Sequence, residues 1–443
     1  MSGRTLIRGG CVLTLGARTP NFDKADVLIS DGRVAEVGRG LRARDAEVVD
    51  ATDTIVMPGF VDTHRHVWKS LFRNLGESPG VDPAAEPAPE GGPKYQADDV
   101  YAATLIGLLG AAEAGITTVV DWADIAPVPS LIDAALQAHA DSSLRTVFVY
   151  SVPRWAGRPE DEKAGLRRLV ARFADRGESL CTIAFGPGEP ARSDLDRVAR
   201  DWGLAREMGL RIHTHVGSDS PGGVISDLAG RGLLAEDVTL VHCLNLDATD
   251  LDAIASHGVS VSLTPSSEMA AGRGLPPVQE LMDRGIRPGL GVDSGGIAPG
   301  DMFAQMRATN SVQHATHFEL KLAGKGGLPN LLNTREVLRY ATVDGARAAG
   351  LGNLTGALEP GKQADIIVLR TDRPNIFPIN DPIGAVVWGM DTSNIDWVFV
   401  AGETLMRGGA LSADVERARN LAINAQRRVA GATGLMAGTG GQP

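Results

Sequence analysis

The sequence predicts an α/β protein: a (β/α)8 barrel of the TIM type with a small, discontinuous β-sandwich domain built from both chain ends. Two observations support this prediction. From about residue 57, eight short apolar runs alternate with longer amphipathic stretches, which is typical of parallel strands joined by helices. Strand-like runs without a helical period fill the first 56 residues and return after residue 358. An open doubly wound sheet is the alternative, but no GxGxxG motif opens the first unit.

The first 56 residues predict only strands and turns. Asp31-Gly32 lies between two alternating runs, and this dipeptide is typical of a tight hairpin. Later strands are predicted at residues 364–369, 386–388 and 395–400, followed by a turn at residues 401–403. Each half alone leaves unpaired edges and no closed core. We therefore expect residues 1–56 and 359–410 to form one composite β domain.

The barrel is predicted over residues 57–358. Its eight strands are expected at residues 55–61, 117–120, 146–149, 182–185, 210–213, 239–242, 259–263 and 288–292. Amphipathic helices are expected at residues 98–114, 129–140, 161–174, 194–208, 248–256 and 278–284, with a further helical region at 334–349. Residues 77–99 are rich in proline and glycine and follow the first strand, which favours either a lid or a disordered segment. Residues 411–443 predict a helix at 412–430 and a flexible tail from Gly431.

Composition and charge restrict the classes of partner. The 443 residues are 43% hydrophobic and 22% charged, which is an ordinary globular balance. A formal net charge of -11 argues against nucleic acid and anionic membranes. No apolar run reaches the roughly 18 residues of a membrane span, and no secretory signal is evident. The three cysteines are far apart and lack CxxC spacing, so we expect a reducing cytoplasm.

Histidines mark the predicted strand ends. His64 and His66 follow the first barrel strand, and side chains at i and i+2 share one face. They are therefore a candidate pair of metal ligands, although two solvated histidines at a loop start are the alternative. Further candidates follow the fifth, sixth and eighth strands, where barrel active sites lie: His213, His215, His242 and Asp293. The other four histidines of the chain are expected at surface or capping positions: His139, His257, His314 and His317.

Three motifs resemble the amidohydrolase superfamily, and the resemblance covers nearly the whole chain. They are Met57-Pro-Gly-Phe-Val-Asp-Thr-His-Arg-His66, Ala114-Gly-Ile-Thr-Thr-Val119 and Gly356-Ala-Leu-Glu-Pro-Gly-Lys-Gln-Ala-Asp365. The chain looks most like the branch that holds cytosine, guanine and S-adenosylhomocysteine deaminases and the triazine hydrolases. This resemblance implies one divalent metal bound by His64, His66, His215 and Asp293. Zinc is the first choice, with iron and manganese as alternatives.

The resemblance also implies a reaction. The metal would make water nucleophilic near neutral pH, Asp293 would act as general base, and His242 would orient the water and stabilise developing charge. A core histidine is the alternative for His242. Binuclear relatives use a carboxylated lysine after strand four, and residues 178–189 contain no lysine, which favours one metal. The predicted function is hydrolysis of a carbon–nitrogen bond in a small cyclic or heteroaromatic substrate, and deamination is the favoured reaction.

One position departs from that branch. Ser218 stands where a glutamate normally protonates the substrate ring, and a hydroxyl of ordinary pKa cannot replace it. Glu268, just beyond the seventh strand, or His213 would have to supply the proton, although a solvated loop is the alternative for Glu268. Otherwise the reaction is hydrolysis of a cyclic amide or of another leaving group without ring protonation.

Two residues after the HxH pair resemble a subgroup of the branch. Trp68 would offer a flat apolar wall, with simple packing as the alternative, and Arg73 would offer a charge for a substrate carbonyl or carboxylate. A non-catalytic barrel that serves as a binding module is a third hypothesis, but mutated ligands would be its signature. The expected partner is a small-molecule substrate, and a homo-oligomer is left open.

Overall fold

The computed structural model describes residues 3–74, 95–125, 128–151, 162–173, 179–217 and 222–433. The predicted lid falls largely outside these ranges, because only residues 95–99 of it are described. Ser218 also lies outside them. None of the helices in the described part of the chain combines the length and apolar character needed to cross a bilayer.

The described residues form a parallel barrel and a mixed sheet. The strands are β1 (Arg4–Val12), β2 (Phe22–Ser30), β3 (Arg33–Gly38), β4 (Ala46–Asp50), β5 (Thr54–Pro58), β6 (Phe60–Arg65), β7 (Ile116–Ala123), β8 (Arg145–Ser151), β9 (Cys181–Gly186), β10 (Ile212–Val216), β11 (Val238–His242), β12 (Ser260–Leu263), β13 (Gly289–Leu290), β14 (Ile366–Arg370), β15 (Ile395–Val400), β16 (Glu403–Arg407) and β17 (Ala410–Leu411). Strands β6 to β13 are parallel neighbours in chain order, which confirms the predicted barrel.

Helices alternate with the barrel strands and continue after them. They are α1 (Ala97–Glu113), α2 (Pro129–Ser142), α3 (Glu162–Phe173), α4 (Leu195–Glu207), α5 (Val224–Gly230), α6 (Ala248–Ser256), α7 (Pro265–Ala270), α8 (Val278–Met282), α9 (Met302–Leu322), α10 (Thr334–Tyr340), α11 (Val343–Ala348), α12 (Pro382–Gly384) and α13 (Val415–Thr433). Short 3₁₀ segments lie at Val67–Phe72, Pro190–Arg192 and Thr392–Asn394.

The barrel closes between its first and last strands. The backbone N–H of His66 donates to the Asp293 carbonyl at 3.0 Å, and the Asp293 N–H donates to the His64 carbonyl at 2.8 Å. This closure brings the end of β6 directly beside the segment that follows β13. Two of the predicted metal-binding segments are therefore joined by backbone hydrogen bonds.

Both chain ends build the second sheet, as predicted. Its strand order is β17-β16-β15-β14-β5-β1-β2-β3, with β4 paired to β1. The antiparallel pairing of β5 with β14, which aligns Val56 with Val368, joins the two ends. The predicted hairpin between β2 and β3 is also confirmed, because Asp31 and Gly32 take positive φ angles of 53° and 73° between paired Ser30 and Arg33, as a tight primed turn requires.

The strand predicted at residues 55–61 is in fact two strands that divide at Gly59. Strand β5 belongs to the mixed sheet, whereas β6 is the first barrel strand. A Cβ at Gly59 would stand 2.1 Å from the Thr117 side chain, so only glycine allows the chain to pass this closely. A continuous apolar run cannot reveal such a change of sheet.

The strand predicted at residues 386–388 is wrong. Residues Ala385–Gly389 form a π-helical turn that continues α12. The Asp381 side chain accepts hydrogen bonds from the backbone N–H groups of Ile383 and Gly384, and Pro382 occupies the first helical position. This N-terminal cap starts a helix, and burial of the valines within it overrides their preference for strands.

The C-terminal helix is longer than predicted. Helix α13 runs to Thr433, so the first three residues of the predicted flexible tail are helical. Val429 and Ala430 are buried against Leu71 and Phe72, and this packing extends the helix. The Gln426 amide also donates to the Leu71 carbonyl at 3.1 Å. Helix α13 thus supports the segment that follows the HxH pair.

A buried ion pair links the barrel to the mixed sheet. Arg145, on β8, is 2% exposed and donates from Nε and Nη2 to the two carboxylate oxygens of Asp365, at 2.7 and 2.9 Å. The same carboxylate accepts the Ala401 N–H at 2.8 Å. The arrangement satisfies both buried charges.

We expect Asp365→Ala to lower the free energy of unfolding by about 3–5 kcal/mol, because it leaves the Arg145 guanidinium buried and unpaired. Urea titration measures this loss. Asp372→Ala is the matched control, because Asp372 forms an exposed ion pair with Arg370, and solvent screening makes the loss of such a pair small. Equal losses in the two variants would contradict the structural role assigned to Asp365.

Candidate metal centre and active site

The four predicted metal ligands lie together at one rim of the barrel. The nitrogen atoms offered by His64, His66 and His215 all lie within 4.8 Å of one another, and Nε2 of His64 is 3.2 Å from Nε2 of His215. Oδ1 of Asp293 is 3.6 Å from Nε2 of His64 and 3.4 Å from Nε2 of His66. The donor atoms therefore converge on one point.

The chemistry of these donors fits a divalent metal. Burial lowers the pKa of His64 to about 4 and lowers the pKa of His215 well below its usual value, so both imidazoles are neutral at pH 7. Burial opposes ionisation of Asp293, but His64, His242 and His66 together hold its pKa well below the usual value. Nitrogens bound to tetrahedral zinc at about 2.0–2.1 Å lie about 3.3 Å apart, which matches the His64–His215 separation.

The backbone is strained where two candidate residues leave their strands. His242 and Asp293 have positive φ angles of 73° and 64°, which side-chain-bearing residues rarely adopt. Gly217 also has a positive φ, and a Cβ there would stand 1.7 Å from the Leu244 carbonyl oxygen. Such strain is common at functional sites, where the surrounding structure maintains it.

Asp62 holds the first and last barrel strands in register. Its buried carboxylate accepts hydrogen bonds from Arg65 Nε at 2.6 Å, from the Val292 N–H at 3.1 Å and from the His64 N–H at 3.3 Å. Asp62 therefore fixes the backbone of one candidate ligand against the segment that carries Asp293.

Asp124 was not among the predicted site residues. It follows β7 by one position, and its Oδ1 accepts hydrogen bonds from His66 Nδ1 at 2.8 Å and from Trp68 Nε1 at 2.7 Å. Because the carboxylate can only accept, the proton of His66 is on Nδ1 and the lone pair of Nε2 is available to a metal. Its position just beyond a barrel strand is the one sequence signal that could have identified it.

Trp68 and Arg73 lie on the flank of this site. Trp68 is 6% exposed, and its ring meets Tyr95 edge to face at 5.4 Å, so it is a packed hydrogen-bond donor to Asp124. Arg73 is half-buried, and its Nη2 donates to the Ile106 carbonyl at 3.3 Å. The substrate contacts predicted for both residues stay predictions.

Glu268 lies behind His242. It is fully buried, and its Oε1 is 3.0 Å from Nδ1 of His242. The same oxygen accepts the backbone N–H of Thr264 at 2.8 Å, and the Thr264 hydroxyl lies 3.2 Å away. Beside it on α7, the Ser267 hydroxyl donates to Asp293 Oδ2 at 2.6 Å. The beginning of α7 therefore orients both His242 and Asp293.

His213 lies one layer deeper in the barrel than His215, on the same strand face. It is 1% exposed, and neither of its ring nitrogens has a hydrogen-bond partner in the described part of the chain. Burial, and secondarily Arg211 and His64, lowers the pKa of His213 to about 3. The substrate contact and the proton donation predicted for His213 both stay predictions.

The surface position predicted for His139 is wrong. It is 2% exposed, and its Nε2 lies 2.8 Å from Oδ2 of Asp121. The other oxygen of Asp121 accepts the Val67 N–H at 3.1 Å, so His139 helps to hold the segment after the HxH pair.

His257 follows α6, and its Nδ1 lies 2.8 Å from the Ala253 carbonyl oxygen, as expected of a capping residue. His314 and His317 are half-buried within α9 and do not cap it, because their ring nitrogens bond to the Leu332 and Pro329 carbonyl groups of the loop that follows the helix.

The chain belongs to the amidohydrolase family, whose model matches residues 55–405. It is an enzyme that hydrolyses carbon–nitrogen bonds other than peptide bonds, as predicted.

Known proteins resemble it over most of its length. It is 28% identical to a 5'-deoxyadenosine deaminase of Methanothermobacter thermautotrophicus, over 92% of this chain and 94% of that protein. It is 28% identical to a 5-methylthioadenosine/S-adenosylhomocysteine deaminase of Thermococcus onnurineus, over 86% and 90%. The crystal structure of an atrazine chlorohydrolase from Arthrobacter aurescens TC1, complexed with zinc, superposes with a TM-score of 0.82 at 23% identity, over 95% and 100%. Because the sequence identity to the atrazine chlorohydrolase is only 23%, this comparison supports the fold alone.

Proposed function

We propose that this chain is a mononuclear, zinc-dependent aminohydrolase that releases ammonia from an adenosine-type heteroaromatic amine. The observation that carries this proposal is the convergence of four donors on one barrel rim, with the His242 ring 5.3 Å from that of His215. The donors are His64, His66, His215 and Asp293. The two deaminase relatives support the choice of an exocyclic amine on a purine. Iron and manganese would suit the same donors.

The proposed reaction replaces the amino group by water. A bound divalent metal would act as a Lewis acid and make water available as a nucleophile near neutral pH. Asp293 takes a proton from the attacking water and passes it to the departing nitrogen. The oxygen–carbon bond forms, the carbon–nitrogen bond breaks, and ammonia leaves. His242 positions the water through Nε2.

Glu268 is proposed to position His242. Since an ionised carboxylate only accepts hydrogen bonds, Nδ1 of His242 carries the proton and donates to Glu268 Oε1. Nε2 then has its lone pair free for a water hydrogen. The carboxylate of Glu268 is buried behind the imidazole of His242. The direct role in ring protonation predicted for Glu268 stays a prediction.

A second reaction is favoured by one sequence observation. Ser218 stands where the resembled branch has its ring-protonating glutamate. If no other acid replaces it, the site suits a substrate whose leaving group departs without ring protonation, such as a cyclic amide.

A direct test is ammonia release from zinc-loaded protein. The panel holds adenosine, 5'-deoxyadenosine, 5-methylthioadenosine and S-adenosylhomocysteine, with cytosine and guanine as ring controls and dihydropyrimidines as cyclic amides. We expect stoichiometric ammonia from at least one adenosine derivative, and none after the metal is chelated. Hydrolysis of a cyclic amide without ammonia release from any amine would select the second reaction. Turnover of no compound would overturn both.

We expect Asp124→Asn to weaken zinc binding about 10- to 100-fold, because the amide no longer fixes the tautomer and basicity of His66. Competition with a chromophoric chelator measures the dissociation constant independently of activity. Asp133→Asn is the control, because Asp133 forms exposed ion pairs with Arg168 and Arg172 and its loss should leave zinc affinity unchanged. Equal affinities in the two variants would remove Asp124 from the metal centre.

We also propose a cytoplasmic location and a small-molecule partner. The three cysteines lie far apart in the sequence and lack CxxC spacing, which suits a reducing compartment. Assembly into a homo-oligomer stays a prediction.

A further inference from the structure

A cavity of about 640 Å³ adjoins the candidate metal centre. Its wall is formed by the segment after the HxH pair, the C-terminal part of α1 and the loop at residues 295–301 that follows Asp293. His66 contributes to this wall, and so do two arginines, Arg65 and Arg73. The volume is sufficient for a small organic molecule.

The two arginines differ in how their charges are balanced. Arg65 donates to the Asp62 carboxylate at 2.6 Å and to the Gly300 carbonyl at 2.8 Å. Among the described residues, Arg73 donates only to the Ile106 backbone carbonyl, and no carboxylate lies within 4.0 Å of its guanidinium. Burial, followed by repulsion from Arg65, lowers the pKa of Arg73 to about 10, although attraction from Glu113 partly opposes the shift, so Arg73 remains cationic at pH 7. A half-buried cation whose charge is balanced only in part, by a carboxylate beyond ion-pair distance, favours a ligand that supplies a closer negative charge.

Two glycines make room for the Arg73 side chain. A Cβ at Gly110 would stand 3.2 Å from Nη1, and a Cβ at Gly295 would stand 3.7 Å from Cγ. Two acidic residues also line the cavity, Glu113 and Asp301. Glu113 is exposed, and the Asp301 side chain caps α9 by accepting the Ala304 N–H at 2.8 Å. Glu113 attracts Arg73 electrostatically, but neither carboxylate lies within ion-pair distance of the guanidinium.

We propose that this cavity binds a small oxyanion, a carboxylate or phosphate group, through the guanidinium of Arg73. The planar fork of arginine matches both groups. The anion is either a substituent of the substrate or a free ion. Anion binding itself is independent of the proposed reaction, whereas its assignment to the substrate rests on the proposed function.

Binding of inorganic phosphate and of acetate to the zinc-loaded full chain tests the proposal. Calorimetry at constant ionic strength, with chloride as the balancing salt, is expected to show saturable binding of at least one of them. Arg73→Gln should weaken that binding at least tenfold, and Arg73→Lys less. Arg307→Gln is the matched control, because Arg307 is half-buried and also donates to backbone carbonyls. Unfolding midpoints without added anion verify that each variant is folded.

Saturation by neither anion overturns the proposal, and so does undiminished binding in Arg73→Gln or an equal loss in Arg307→Gln. Steady-state kinetics with the bound anion added as an inhibitor distinguishes a substituent of the substrate from a free ion. Competitive inhibition by the bound anion assigns the cavity to a substituent of the substrate, whereas non-competitive behaviour assigns it to a free anion. The binding arm does not depend on turnover, so a failure of the proposed function and a failure of the anion site are distinguishable.

Discussion

Asp293→Asn is expected to lower kcat by about three orders of magnitude while leaving the fold intact. The substitution is nearly isosteric, and the amide oxygen can still accept from the Ser267 hydroxyl that donates to Oδ2. What is lost is the carboxylate that takes the proton of the attacking water, and general acid–base groups contribute about 10²–10⁴-fold. Steady-state kinetics on the substrate identified by ammonia release measures the effect.

Two controls separate loss of the base from loss of the metal, because Asp293 is also a candidate ligand. Elemental analysis of the variant reports zinc content, and kcat is compared at full occupancy. Ser267→Ala removes only the hydrogen bond to Oδ2, so we expect it to reduce kcat about tenfold or less. Near-normal turnover of fully loaded Asp293→Asn would require another base.

The strand-end residues could be predicted from the sequence because a parallel barrel brings the carboxyl ends of all its strands to one rim. Short apolar runs identify the strands, so their terminal residues are known to be neighbours before any contact is known. His64, His215 and Asp293 come from the ends of the first, fifth and eighth strands, and Nε2 of His64 lies 3.2 Å from Nε2 of His215 and 3.6 Å from Oδ1 of Asp293. The apolar runs were therefore sufficient to predict that these three residues are neighbours.

Asp124 was missed because the second strand was predicted to end at residue 120, whereas β7 continues to Ala123, so Asp124 was not counted among the strand-end residues. A different limit explains His139. Its helical spacing was evident, but which face of α2 packs on the barrel depends on the neighbouring strand that carries Asp121. Glu268 was located by its strand end, whereas its bond to His242 follows from the turn at Thr264 that begins α7.

Glu268→Gln is the second substitution with a large expected effect, on the order of 10³-fold in kcat at unchanged metal content. A carboxylate-to-amide change behind a catalytic imidazole allows the wrong tautomer, and in the serine-protease triad that change costs about 10⁴-fold. In Glu268→Gln the amide can donate to Nδ1 of His242, which moves the proton to Nε2 and removes the lone pair that positions water. The expected loss is therefore in kcat rather than in KM.

A double-mutant cycle with His242→Asn distinguishes positioning from direct proton donation by Glu268. If Glu268 acts only through His242, the double variant is no slower than His242→Asn alone, because the two side chains work as one unit. If Glu268 protonates the substrate ring itself, the two losses multiply. A substrate that needs no ring protonation gives the second criterion: positioning slows its hydrolysis as much as deamination, whereas direct donation leaves it unchanged. Multiplied losses together with unchanged cyclic-amide hydrolysis would move Glu268 from behind His242 to the substrate, and side-chain rearrangement on binding would then have to expose its carboxylate.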